Sequence, residues 1–190
     1  MATCGTQPDG TSLCYARNDR AALPFNGTVT MSAFDYKGGG SASWTHTEHV
    51  ALAKGPGAIT WFTLPASPNG AKTALLSTVT ERSTGEVMSS HMVQLVAPSA
   101  LEVTKAAITL TVADKANADG SIDIVVASDA VAVFVTLTTA AQGRFSDNCF
   151  LLPATMKTVR FIPFLRDTAA TDMATLKASL RVEDHSAYAL

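Results

Sequence analysis

The stretch GRFSDNCFLLPATMKTVRF at 143–161 contains Ser146-Asp147-Asn148, residue types that could do acyl-transfer chemistry. A Ser-Asp-Asn triplet is one part of an acyl-enzyme site whose nucleophile sits in Ser-x-x-Lys and which Lys-Thr-Gly completes. Neither companion is present. No lysine has a serine three residues before it, Lys72-Thr73 is followed by alanine and Lys157-Thr158 by valine. An isolated triplet between a strand and an apolar FLLP run serves turn chemistry, because Asp and Asn side chains bond nearby backbone at corners.

The other chemical candidates fail on spacing. His46 and His49 lie in a strand-like run three residues apart, so they point to opposite faces and cannot share a metal; His91 and His185 stand alone. ADKANADGSIDI at 113–124 resembles a calcium loop until it is counted. With Gly120 at loop position six, Lys115 falls where an acid is needed and Val126 where the bidentate glutamate belongs. The segment reads as a hairpin closed by Asp119-Gly120. Glycoside hydrolysis needs two carboxylates flanking a sugar, and none of Glu48, Glu81, Glu86, Glu102 and Glu183 sits in a distinctive motif. There is no Gly-rich phosphate loop and no Gly-x-Ser-x-Gly elbow. Trp44, Trp61 and Phe62 could line a sugar-stacking face, although a tryptophan on a sandwich strand is more often core. These residues assign no catalytic, cofactor or metal site.

The elements that must position such residues are strands. Apolar side chains recur with period two: GTVTMSAFD (27–35) puts Val29, Met31 and Ala33 on one face and Thr28, Thr30, Ser32 and Phe34 on the other. AITWFTLP (58–65), TALLSTVTE (73–81), EVMSSHMVQLV (86–96), LEVTKAAITLTVA (101–113), SIDIVVAS (121–128), AVAVFVTLTT (130–139), KTVRFIPF (157–164) and LKASLRVED (176–184) continue it, rich in the Thr and Val that pleated strands favour. Gly, Pro, Asn and Asp clusters separate them. Pro163 inside a strand-like run marks an edge or a bend. No helix stands out, although 167–176 could hold one turn. The expected fold is all-β, two tandem immunoglobulin-like β-sandwich domains: a flexible N-terminal segment at 1–11, a first sandwich at 12–97 and a second at 98–190, joined near Ala97-Pro98-Ser99.

The chain has 190 residues, 47% of them apolar and 16% charged, with a formal net charge of −2. That supports a core and supplies no basic footprint for nucleic acid. There is no apolar run long enough to span a membrane, and MATCGTQPDG lacks the pattern of a signal peptide. Three cysteines, Cys4, Cys14 and Cys149, show no metal-ligand spacing; one bridge is allowed, but three reduced thiols, with Cys14 and Cys149 partly buried, is the expected state. Asn26-Gly27-Thr28 fits the N-glycosylation sequon and matters only in the secretory pathway.

ASDAVAVFVTLTTAAQGRFSDNCFLLPATMKTVRF (127–161) resembles the last domain of β-mannosidases of glycoside hydrolase family 2. The likeness is carried by Ala132 and Val135, then Gly143, Phe145, Ser146, Asp147, Asn148, Phe150, Leu152 and Pro153, then Val159 and Phe161. SLCYARNDRAALPFNGTVTMSAFDYKGG (12–39) resembles the domain before it, through Tyr15, Asn18, Asp19, Gly27 to Val29, and Asp35. The join at 75–103 matches more loosely, with His91 where that family often has Asn, and 40–72 align by pattern only. The resemblance implies a non-catalytic C-terminal fragment. The family's two catalytic glutamates lie on a preceding (β/α)₈ barrel, so no catalytic role passes to a residue of this chain. The parent would be a retaining enzyme removing terminal β-D-mannose, lysosomal or secretory if eukaryotic. The implied partners are the barrel and other domains of the same chain. Residues 145–153 would form a structural corner anchored by Phe145, Phe150 and Leu152, with Asp147 and Asn148 bonding backbone across it. A stand-alone sandwich module binding carbohydrate or protein is the alternative.

Overall fold

The computed structural model describes residues 1–20, 22–55, 57–66, 68–165 and 169–188. The chain divides into two compact units, Met1–Glu102 and Val103–Leu190, a few residues beyond the expected join.

Among the described residues the first unit has seven strands: β1 (Ala2–Thr6), β2 (Ser12–Asn18), β3 (Phe25–Asp35), β4 (Trp44–Leu52), β5 (Ala58–Thr63), β6 (Thr73–Glu81) and β7 (Val87–Val93). They form two antiparallel sheets, ordered β1-β2-β5 and β4-β3-β6-β7. The period-two pattern of β3 is what buries it: Val29, Met31 and Ala33 are essentially inaccessible and meet Cys14, Ala16, Leu75 and Val79 in one core. Their neighbours Thr28, Thr30 and Ser32 face outward, the alternation that a sheet with one buried face imposes.

The flexible segment expected at 1–11 is instead β1, paired with β2 from Ala2↔Ala16 to Thr6↔Ser12. The sequence hides it because only Ala2 is fully buried there and its stability comes from the ladder with β2. Pairing puts Cys4 directly opposite Cys14, with Cα atoms 4.0 Å apart, and the two form a disulfide. The expectation of three reduced thiols is therefore corrected. Cys14 is fully buried, and Cys149, expected partly buried, is an exposed free thiol.

The second unit carries β8 (Ile108–Val112), β9 (Ile122–Ser128), β10 (Val131–Thr138), β11 (Gly143–Phe145), β12 (Phe150–Pro153), β13 (Met156–Pro163), α1 (Ala169–Ser179) and β14 (Arg181–Glu183). Its sheets run β12-β10-β14 and β11-β13-β9-β8. Ile122, Ile124, Val126, Leu137, Leu152, Val159 and Phe161 build the core. The 113–124 segment is the hairpin between β8 and β9: Gly120 takes φ 83°, and the Asp119 carboxylate accepts from the Ser121 N–H and hydroxyl at 2.9 and 2.6 Å.

Three elements differ from expectation. The strand expected at 176–184 is an eleven-residue helix followed by the short β14. Met173, Leu176 and Leu180 recur at helical spacing and all pack on the core, whereas the alternation of Leu176, Ala178 and Leu180 had imitated a strand. Pro163 is the last residue of β13, opposite Gly143, and β13 is an interior strand of its sheet; at a strand end the missing N–H costs little. Of the run 101–113, only Ile108–Val112 is strand.

Candidate functional site

The stretch around Ser146–Asn148 is a corner between β11 and β12, and each polar group in it has a local task. Ser146 prolongs the β11–β13 ladder: its N–H donates to the Arg160 carbonyl at 2.7 Å, and its hydroxyl accepts from the Arg160 N–H at 2.9 Å. Asn148 reaches across to β10. Its Oδ1 accepts the Leu137 N–H at 2.7 Å, and its Nδ2 donates to the Leu137 carbonyl at 3.0 Å. β12 pairs with β10 only from Val131 to Val135, so beyond that point the amide of Asn148 stands in for the next peptide group of the missing strand. A bulge in β10 between Ala132 and Val135, with Phe134 at φ 56°, accompanies the change of partner from β12 to β14.

Asp147 does something else. Its Oδ1 accepts the adjacent Asn148 N–H at 2.8 Å, and its Oδ2 pairs with the Lys157 ammonium. That ammonium also sits over the Phe150 ring, 4.4 Å from its centre. The expected backbone bond across the corner is thus made by Asn148, not by Asp147. Among the anchors, Phe150 and Leu152 are buried at 7% and 1% exposure. Phe145 is half-buried and packs edge-on against Phe161, ring centres 5.7 Å apart. Pro153 closes β12 opposite Val131.

In the first unit, Asn18 is buried and fully used. Its Nδ2 donates to the carbonyls of Leu23 and Ala53 at 2.9 and 3.1 Å, and its Oδ1 accepts the Arg20 N–H at 3.0 Å. Asp19 is exposed and pairs with Arg17 at 2.6 Å. Asn26 lies exposed on β3 opposite Ala51, so the sequon sits in a strand that has neighbours on both sides. His46 and His49 alternate on β4: His46 is half-buried beside Trp44, ring centres 6.1 Å apart, and His49 is exposed. Among the described residues no three His, Cys, Asp or Glu side chains gather to hold a metal, and no helix is long and apolar enough to cross a membrane. Glu48, Glu81 and Glu183 have local partners in His46, Arg20 and Tyr188.

The aromatic candidates separate. Trp44 and Phe62 pack on the first core. Trp61 lies on the opposite face of β5 and is 60% exposed, with Tyr15 tilted against it at 5.3 Å and 55°. The expectation that tryptophans here are core fails for Trp61 because strand alternation sends Phe62, not Trp61, inward. Nearby, at the end of β2, a cleft of about 280 Å³ is lined by Arg17, Asn18, Asp19 and Arg20 over Phe25 and Val79.

Residues 103–187 match the family model of Ig_mannosidase, an Ig-fold domain. Over those residues the second unit is similar to a mannosidase-type Ig-fold domain. Solved structures extend the likeness of fold to both units. A β-D-mannosidase from Dictyoglomus thermophilum matches 97% of this chain with TM-score 0.67 and 15% identity, over 21% of its own length. An exo-β-D-glucosaminidase matches 94% with TM-score 0.57 and 16% identity, over 24% of its length. The Amycolatopsis orientalis exo-chitosanase matches 94% with TM-score 0.58 and 15% identity, again over 24%. This chain therefore spans between a fifth and a quarter of those chains. No curated protein sequence matches it. The matched stretch contains the whole 143–161 corner.

Sequence reasoning missed two features. The Cys4–Cys14 bridge required β1, which has too few apolar residues to announce itself. The Arg17, Tyr15 and Trp61 constellation required knowing that β2 and β5 pair, with Tyr15 opposite Trp61 and Arg17 opposite Ile59.

Proposed function

We propose that this chain is the non-catalytic C-terminal β-sandwich region of a β-mannosidase of glycoside hydrolase family 2, whose catalytic barrel belongs to the same polypeptide and removes terminal β-D-mannose. The observation that carries this reading is the match of residues 103–187 to the mannosidase Ig-fold family. The coverage of nearly the whole chain on about a fifth of a β-D-mannosidase supports it. The polar groups of the 143–161 corner hold backbone in place, which is the work of a packing domain. Ig-like sandwiches serve many functions, so the family match, and not the fold alone, is what supports this substrate class.

The test is the size of the native polypeptide and its activity. Antibodies to this chain should detect, in a lysate of the source organism, a band several times heavier than 19.8 kDa, and the protein in that band should hydrolyse an aryl β-mannoside while the 190-residue chain does not. A band at the size of this chain, or a heavy protein inert on β-mannosides, would overturn the reading.

A further inference from the structure

We propose that the outer face of the β1-β2-β5 sheet is a binding site for a neutral hexopyranose oligosaccharide, with Trp61 and Tyr15 as the stacking platform and Arg17 with Asp19 as the hydroxyl-binding wall.

The platform follows from register. Tyr15 and Trp61 are directly opposed on β2 and β5, and one residue pair further along the same face Arg17 opposes Ile59. Trp61 is 60% and Ile59 45% exposed, although burying such side chains is the usual fate of large apolar groups. Tyr15 leans on Trp61 at 5.3 Å, so the indole is braced while its free face stays open. A pyranose ring offers an apolar face of C–H groups to such an indole and keeps its hydroxyls at the perimeter. Arg17 and Asp19, paired at 2.6 Å with side chains 45% and 58% accessible, supply donors and acceptors at that perimeter and also line the cleft of about 280 Å³ at the end of β2.

Charge and area decide the class of occupant. The ion pair neutralises itself, so the face has no local excess of either sign with which to attract a phosphate, a nucleic acid or a charged peptide. The face is also small. Three strands about 4.8 Å apart and about six residues long at 3.3 Å each give a footprint of roughly 200–300 Å². A stable protein interface takes about 800 Å² from each partner, whereas a footprint of this size accommodates a few sugar rings. Aromatic stacking with a few placed polar groups is how small-ligand sites obtain orientation.

The test uses the 190-residue chain, which has two tryptophans. Trp44→Phe leaves Trp61 as the only indole. Its fluorescence should shift saturably on titration with at least one of β-1,4-linked mannotetraose, cellotetraose and N-acetylchitotetraose. By calorimetry on the same sugars, Trp61→Ala should weaken affinity by about tenfold or more, since it removes the aromatic anchor of the site. Arg17→Ala should weaken it less. Trp61 is exposed, so its replacement should leave the fold intact, which an unchanged circular dichroism spectrum would show. No saturable response to any of the three at millimolar concentration overturns the proposal. So does binding that Trp61→Ala leaves unchanged, or sedimentation showing that a second copy of the chain covers Trp61.

Discussion

The side-chain amide of Asn148 holds both backbone groups of Leu137, accepting its N–H at 2.7 Å and donating to its carbonyl at 3.0 Å. Leu137 is itself 1% exposed. A peptide group in a neighbouring strand would make the same two bonds, and β12 ends its pairing with β10 before reaching this point. Asn148 is therefore a strand extension made from one side chain.

Asn148→Ala removes both bonds and leaves two main-chain groups of a buried residue without their partner. The expected loss is about 1–3 kcal/mol in the second unit, read as a lower urea midpoint with unchanged slope. Asn148→Asp should recover little, because a carboxylate cannot donate to the Leu137 carbonyl. Stability equal to the parent in the alanine variant would show that water replaces the amide fully.

Asp147→Ala makes a useful contrast. The Asp147 and Lys157 side chains are 43% and 36% accessible, so solvent screens their ion pair to at most about 1 kcal/mol. The variant should melt close to the parent, and the small difference should shrink further in high salt. A loss as large as that of Asn148→Ala would mean that the Asp147–Lys157 pair secures the corner as much as the Asn148 amide does.

Gly143 has no room for a side chain. A Cβ there would lie 2.3 Å from the Phe161 ring and 2.6 Å from the Ile162 carbonyl oxygen. Phe161 is fully buried and cannot move aside, so Gly143→Ala should cost at least about 1–3 kcal/mol by overpacking. Gly120→Ala is the control for lost turn freedom without a clash: its Cβ meets nothing within 4 Å, but φ is +83°. It should cost about 1 kcal/mol. Equal melting temperatures for Gly143→Ala and the parent would refute the packing argument.

Opening the Cys4–Cys14 bridge should loosen the first unit alone. The bridge closes a loop of sequence separation 10, for which chain entropy predicts roughly 2–3 kcal/mol. Cys4→Ser/Cys14→Ser should therefore expose β1 to proteolysis and speed amide exchange in β2, with β9 and β13 unaffected. Unaltered exchange in β2 would mean that the ladder alone secures β1.

The first unit should also respond to acid through His91. Burial, and after it the positive charge of the N-terminal amine, hold its pKa below the ordinary 6.5. The folded protein thus prefers the neutral imidazole. The associated stability is present above pH 6.5 and is lost as pH falls through the lowered folded value, where the unfolded chain has already taken up its proton. Unfolding midpoints of the parent should fall between pH 7.5 and 5, and His91→Gln should flatten that part of the curve. An identical pH profile in the variant would remove His91 as the cause.

The sequence by itself determined the all-β class and most strand positions, because period-two runs such as Val29, Met31 and Ala33 have one physical solution, a sheet with one face buried. Turn chemistry marked a corner at Ser146–Asn148, and the resemblance of 143–161 to the last domain of β-mannosidases implied its anchors Phe145, Phe150 and Leu152. What only the tertiary structure decided are relations between distant residues. Cys4 meets Cys14 because β1 docks on β2, and the apolar content of β1 is too low for local pattern to reveal that. Met173 and Leu176 lie on one core-facing stripe of a helix that Leu180 follows directly, which the strand-like alternation of Leu176, Ala178 and Leu180 obscured. Asn148, not Asp147, crosses the corner because β12 stops short of Leu137. Trp61 faces outward because register with Tyr15 and the inward turn of Phe62 fix the face, and no property of tryptophan read along the chain distinguishes it from Trp44.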